Sequence, residues 1–290
     1  MNKCNENFLI KNGIVKEDIC SRIDCRIYSD EDINPIIAKY GFQTNLERKM
    51  VSIADIVGYD AEWRGINKAN IFLSLDNFFQ EGGDGYHSRS LGLLNYNKEN
   101  IMEELQGSLK NDRINLMETG EGTYIISTNG LHRYTVLRSL YLCEAANANG
   151  NKEKLSEIAQ KYTIPAEVRK IDVEKTYCKY LLTMVRTKEN EKKIKDIETE
   201  YDSTWSITGN VVIKYINGDK EVFNKEEFIA LTKKRVREDQ KFSENHMELQ
   251  VAYDKYPSFR TFIDKEFSGI IALPKKDIDA KGKEENDWFN

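Results

Sequence analysis

The run Tyr124-Ile-Ile-Ser-Thr-Asn-Gly-Leu-His-Arg-Tyr134 holds the residues best suited to chemistry in this 290-residue chain. Apolar residues followed by two hydroxyls, an amide, a glycine, an imidazole and a guanidinium read as a strand, a tight turn and the opening of a helix. Helix starts present unpaired N–H groups and a partial positive charge, which favour phosphate before any side chain acts. On this reading Gly130 permits close backbone approach, and His132 and Arg133 donate to phosphate oxygens, Arg133 through two parallel N–H bonds. Ser127 and Thr128 add hydroxyl donors. The competing reading is structural: Asn129 caps the helix, and His132 and Arg133 lie on its solvated face.

Other chemistry-bearing residues are more scattered. Asp60, Glu62 and Asp84 sit in predicted loops, where a carboxylate could act as a base on an attacking hydroxyl, and no spacing separates them from ordinary loop acids. His87 and Arg89 belong to the glycine-rich stretch Glu81-Gly-Gly-Asp-Gly-Tyr-His-Ser-Arg89, which reads as a loop able to close over phosphates. His246 has no partner in sequence, and the aromatic set Tyr253, Tyr256, Phe259, Phe262 and Phe267 reads as core or interface. The five cysteines, Cys4, Cys20, Cys25, Cys143 and Cys178, are odd in number and lack paired spacing, so neither a disulfide framework nor a zinc site is indicated.

The elements that must position the motif follow from periodicity. Residues 1–45 read as an α-rich extension with a helix over Ile33–Tyr40, preceded by acids at Asp30, Glu31 and Asp32. Met50–Val57 reads as a strand or strand plus turn ending at Gly58. Asn97–Leu109 reads as an amphipathic helix with Ile101, Met102, Leu105 and Leu109 on one face. Ile114–Met117 and Thr123–Ser127 form two strands around the glycines of Glu118-Thr-Gly-Glu-Gly122. A helix from Leu131 to about Ala146 follows, stopped by Asn147-Ala-Asn-Gly150, then a short polar helix and a strand over Thr163–Asp172 entered through Pro165. Val173 to about Glu200 reads as a charged helix, and Trp205–Phe223 as a hairpin around Asn217-Gly218. Helices are expected over Lys225–Lys241 and over Glu244–Phe267, the latter broken near Pro257, and Lys275–Asn290 is a polar tail.

With that order of elements, Asn129-Gly-Leu-His-Arg-Tyr134 is similar to the Gly-Gly-Cys-His-Arg-Tyr signature of sulfiredoxins and to the glycine-rich, arginine-containing motif of ParB-type proteins. Ile164-Pro-Ala-Glu-Val168 is similar to a stretch that follows the motif helix in sulfiredoxins. The chain thus resembles the ParB/sulfiredoxin superfamily over residues 50–175. The resemblance implies an α+β fold with a small mixed sheet and packed helices over residues 46–185, followed by an accessory β-hairpin and helical region over 186–290. It implies that Gly130, His132 and Arg133 hold the phosphates of ATP or CTP with Mg2+, and that Ser108 approaches the same site. Leu131 stands where sulfiredoxins have their catalytic cysteine, so sulfinic acid reduction, which needs a thiolate, is not expected. The superfamily also includes nucleotide-dependent kinases with a carboxylate base, for which Asp60 and Glu62 are the candidates. No helix-turn-helix is evident after Val173, which speaks against a DNA-clamp role.

Composition bounds the partners. Hydrophobic residues at 40% and charged residues at 31% suit a folded globular protein. The formal net charge of −5 gives no global attraction for DNA, so any DNA contact would be local. No run reaches the roughly 18 apolar residues of a membrane span, and the expectation is a cytoplasmic protein with nucleotide as ligand and a protein partner or a second copy of the chain as further partner. Three functions stay open: phosphate hydrolysis or transfer, nucleotide-gated binding without significant turnover, and partition-type DNA binding.

Overall fold

The computed structural model describes residues 28–29, 33–60, 113–186, 193–239, 241–242 and 246–273. The predicted helix Asn97–Leu109 with Ser108, the loop holding Glu62, Asp84, His87 and Arg89, and the tail from Lys275 lie outside the described residues, as do Asp30, Glu31, Asp32, Cys4, Cys20, Cys25 and the side chains of His132 and His246.

The chain is of mixed α+β class. A six-stranded mixed sheet runs β1 (Tyr28–Ser29), β3 (Ile56–Tyr59), β5 (Tyr124–Ile126), β4 (Ile114–Glu118), β6 (Thr163–Ile171) and β2 (Gln43–Ser52) in spatial order. Strands β1, β3 and β5 are mutually parallel, as are β4 and β6, while β4–β5 and β2–β6 are antiparallel. The predicted strand Met50–Val57 resolves into the end of β2, a 3-10 turn over Ile53–Asp55, and β3. Ser52 makes that corner: its hydroxyl accepts from the Ala54 amide at 3.2 Å and donates to the Ala159 carbonyl at 3.0 Å. The predicted hairpin forms with Leu116 opposite Ile126 and Met117 opposite Ile125. Pro165 precedes Ala166, the first residue that pairs with β4, so its missing N–H costs no bond on that side.

Period-two alternation decides what each face of the sheet buries. Leu116, Ile126, Ile164, Ala166 and Val168 face α2 (Leu131–Asn147), whose Tyr134, Leu137, Leu140 and Tyr141 complete a dry first core. The short polar helix α3 (Lys152–Lys161) buries no residue fully and lays Leu155 and Ile158 against that core. On the opposite face Met117, Ile125 and Ile171 meet Ile37 of α1 (Pro35–Tyr40). At roughly 1.5–3 kcal/mol for each fully buried aliphatic or aromatic side chain, both faces contribute to holding the sheet. The cap of α1 is Asn34, accepting from the amides of Ile36 and Ile37 at 3.2 and 3.3 Å with Pro35 at the first helical position.

A second core follows. It packs α4 (Val173–Met184), α5 (Lys225–Glu238), α6 (His246–Lys255) and α7 (Pro257–Glu266) with a three-stranded antiparallel sheet of β7 (Ile194–Tyr201), β8 (Ile207–Tyr215) and β9 (Lys220–Phe223). Phe42 and Ile36 from the beginning of the chain belong to this core. The hairpin at Asn217-Gly218 forms, with Gly218 at φ +92°, and α6 and α7 meet at Pro257 as the breaker predicts. The expected helix from Val173 to Glu200 is corrected: it ends at Met184, and Ile194–Tyr201 is a strand. Its Lys and Glu residues are good helix formers, but Ile197 opposite Ile213 and Thr199 opposite Val211 close the sheet over the core, and burial outweighs local propensity. No described helix is long and apolar enough to cross a membrane.

Candidate phosphate-binding site

Strands β3 and β5 run side by side in one direction, and both end where α2 begins. The Asp60 amide donates to the Ile126 carbonyl at 2.8 Å, so Asp60 stands next to Ser127 at the carboxyl edge of the sheet. The structure therefore sets Asp60 beside Ser127, from which Thr128, Asn129 and Gly130 lead into α2, with His132 and Arg133 in its first turn. Crevices at the carboxyl ends of parallel strands, before a helix start, are common ligand sites in α/β sheets.

The turn is laced to β4 by Asn115. Its amide donates to the Asn129 carbonyl at 3.1 Å, and its carbonyl accepts from the Ser127 amide at 2.9 Å and the Ser127 hydroxyl at 3.3 Å. The Asn115 side chain donates to Thr128 Oγ1 at 2.9 Å. Thr128 is exposed, and since its oxygen accepts that bond its own proton can still be donated outward. Ser127 is turned inward by comparison. Asn129 is not the helix cap: its Nδ2 donates to the Arg113 carbonyl at 3.2 Å, and it is half-buried.

Gly130 takes the cap position in the left-handed region, at φ +105°, and brings no side chain to cap α2. It is buried, and a Cβ there would come within 2.6 Å of Ile114 Cγ1. The close approach that requires glycine is thus the approach of Ile114. By contrast α1, α3, α4 and α5 are capped by the side chains of Asn34, Asn151, Asp172 and Asn224. At α7 the Ser258 amide is satisfied by the Glu121 carboxylate at 3.2 Å.

Further along α2 the polar residues anchor the helix. The Tyr134 hydroxyl, fully buried, donates to the Ile56 carbonyl at 2.8 Å, and burial raises its pKa above the ordinary phenol value. Arg138 donates to the carbonyls of Ile53 and Ala54 at 3.2 and 3.3 Å, and its guanidinium lies 5.3 Å from the Tyr141 ring centre. Burial raises the pKa of Asp55 on that corner, with Arg138 opposing the rise. Arg133, half-buried, lies nearer the turn.

No family model, curated protein or solved structure matches this chain. The chemistry of the site therefore rests on its own donors. A hydroxyl at Thr128, the start of a long helix without a side-chain cap, and the guanidinium of Arg133 suit an anion with several oxygens. Among the described residues no three His, Cys, Asp or Glu side chains converge on one point. A magnesium ion held by one carboxylate and by the phosphates themselves needs no such cluster, and Asp60 is the carboxylate at this edge. Sequence reading missed Asn115 and Arg113. The signal was present, since counting back along the hairpin from Leu116 opposite Ile126 sets Asn115 against Ser127.

Proposed function

We propose that this chain binds a nucleoside triphosphate, ATP or CTP, at the start of α2 and hydrolyses or transfers its terminal phosphoryl group, as a ParB/sulfiredoxin-like protein without the sulfiredoxin cysteine. The observation that carries the reading is the shared ending of β3 and β5, which sets Asp60 beside the turn that opens α2. The helix start, Arg133 and the Thr128 hydroxyl hold the phosphates. His132 in the first turn is a further donor, and Asp60 orients the attacking hydroxyl or water, or holds Mg2+, which would bridge and neutralise the phosphate oxygens. Ser108 and Glu62 keep the roles that the resemblance implies.

The test is Arg133→Ala. Hydrogen bonds to charged groups contribute about 1.5–3 kcal/mol, so nucleotide affinity should fall by about tenfold or more, while the loss of this half-buried side chain costs about 1 kcal/mol of stability. A thermal-shift screen of the four triphosphates with and without magnesium reads both. Unchanged ATP and CTP affinity in the variant discards the assignment.

One observation favours a second reading, in which nucleotide gates a partner surface and turnover is slow. The hairpin of β4 and β5 carries the phosphate turn at one end, and at the other end Glu121 holds the N-terminus of α7 through the Ser258 amide and hydroxyl. Tight nucleotide binding with negligible phosphate release would select it.

A further inference from the structure

A cavity of about 520 Å³ opens where α4 ends, β7 begins and α5 closes, and five cations of the described residues line it: Lys179, Arg186, Lys193, Lys195 and Arg235. Among the described residues the wall holds one carboxylate, Asp196, which faces Lys214 in register across the sheet. The chain as a whole has a formal net charge of −5, so this positive concentration runs against the overall balance. It also sits in a concavity, where low-dielectric walls focus potential.

Part of the charge has a structural account. Arg186 and Arg235 stand near the C-terminal ends of α4 and α5, where cations complement the helix dipoles, and Lys179 lies 5.4 Å from the Phe42 ring centre. Lys193 and Lys195 have no such account, and among the described residues neither meets a carboxylate. Local backbone geometry concentrates them. The pairing of β7 with β8 slips between Ile194 and Asp196, and five consecutive residues, Lys193–Ile197, line the cavity. Lys193, just before β7, and Lys195 are two residues apart and would share a face even in a regular strand, and the slip beside them is an irregularity of the kind found beside functional sites. Apart from Thr183 the remaining described wall is apolar, with Leu182 and Ile197 almost fully buried and Val185 beside them. The volume lies in the range of small-ligand sites, about 300–1,000 Å³.

We propose that this cavity binds a small phosphate-bearing organic molecule, with its phosphate toward Lys193 and Lys195 and its uncharged body against Leu182, Val185 and Ile197. A nucleic-acid backbone would call for an extended cationic stripe instead of a half-apolar concavity. The site is distinct from the start of α2, since every described lining residue belongs to the part of the chain from Lys179 to Arg235.

The test is isothermal titration of the full chain carrying Arg133→Ala, which removes the contribution of the α2 start, with AMP, glucose 6-phosphate and pyrophosphate as probes. AMP or glucose 6-phosphate should bind one-to-one, and the stronger of the two distinguishes a nucleoside from a sugar source. Lys193→Ala with Lys195→Ala should weaken binding by about tenfold or more. The paired Lys→Arg variant should retain it, and Lys220→Ala on β9 should leave it unchanged. The same titrations of the chain with Arg133 intact keep the test if Arg133→Ala lowers stability. Absence of saturable binding of both organic phosphates, binding of pyrophosphate alone, an equal loss on Lys220→Ala, or tighter binding of a short DNA duplex through the same lysines would each overturn the proposal.

Discussion

At the scale of single residues, the turn before α2 separates what a glycine does for the fold from what it offers a ligand. Gly130 combines a left-handed backbone with contact against Ile114. Gly130→Ala should therefore destabilise the protein by about 2–4 kcal/mol, the sum of a left-handed penalty and a core overlap. Urea unfolding measures it, and a loss below about 0.5 kcal/mol would show that the turn relaxes freely. The sequence motif Asn-Gly-Leu-His-Arg made this position legible, but not its reason, because Ile114 lies sixteen residues away on another strand and only pairing brings it near. The same holds for Asn129, whose type suggested a cap and whose side chain instead reaches the Arg113 carbonyl.

At the scale of elements, the contact of Glu121 with α7 is the most instructive. Glu121 lies in the glycine-rich turn between β4 and β5, accepts from the Ser258 amide and hydroxyl, and so caps a helix more than a hundred residues away. Tyr177 bonds the same Ser258 hydroxyl, and burial pushes its phenol up to about 12. Burial raises the Glu121 carboxyl above its usual range, although both Ser258 bonds pull it back. A raised carboxyl pKa in the folded state means that the associated stability is fully present below the unfolded value and is lost as pH rises through the folded value. Glu121→Gln removes the titration and keeps an acceptor for Ser258, so the variant should gain on the native chain as pH climbs from about 4 to 7. Urea midpoints across that range test it, and a constant difference between the two proteins would refute the linkage.

At the scale of the whole molecule, two cores share one chain and several ties. The Asp172 amide donates to the Phe42 carbonyl at 2.8 Å, the Phe42 amide donates to Thr176 Oγ1 at 3.0 Å, and Asn45 exchanges two bonds with Ile207. Glu174 is gripped by Lys225 and Lys265 at 2.5 and 2.8 Å; burial opposes its charge, yet the two lysines hold its pKa below the ordinary value. Within the second core Phe259 is fully buried, with its ring edge-on to Tyr177 and Tyr180 at 4.9 and 5.8 Å. Phe259→Ala should cost about 3–5 kcal/mol. Because Asn45–Ile207 and Glu121–Ser258 tie the first sheet to the second core, far- and near-UV circular dichroism should still report one coincident transition, and two separated transitions would mean that the cores fold independently.

Local chemistry alone determined the mixed α+β class, the β4–β5 hairpin, α2 with its glycine start, the Asn217-Gly218 turn and the break at Pro257. Each depends on residues close in sequence, through side-chain period, positive φ or a missing N–H. Tertiary contact decided the rest. Lys193 to Tyr201 has a helix-forming composition and became a strand because an apolar face needed covering. Asn115 became the clamp of the turn through strand pairing, and the cationic cavity arose from three elements that meet only when the second core closes. Such features depend on which distant surfaces pack together, and that is set by the burial of the whole chain and not by the preferences of any one segment.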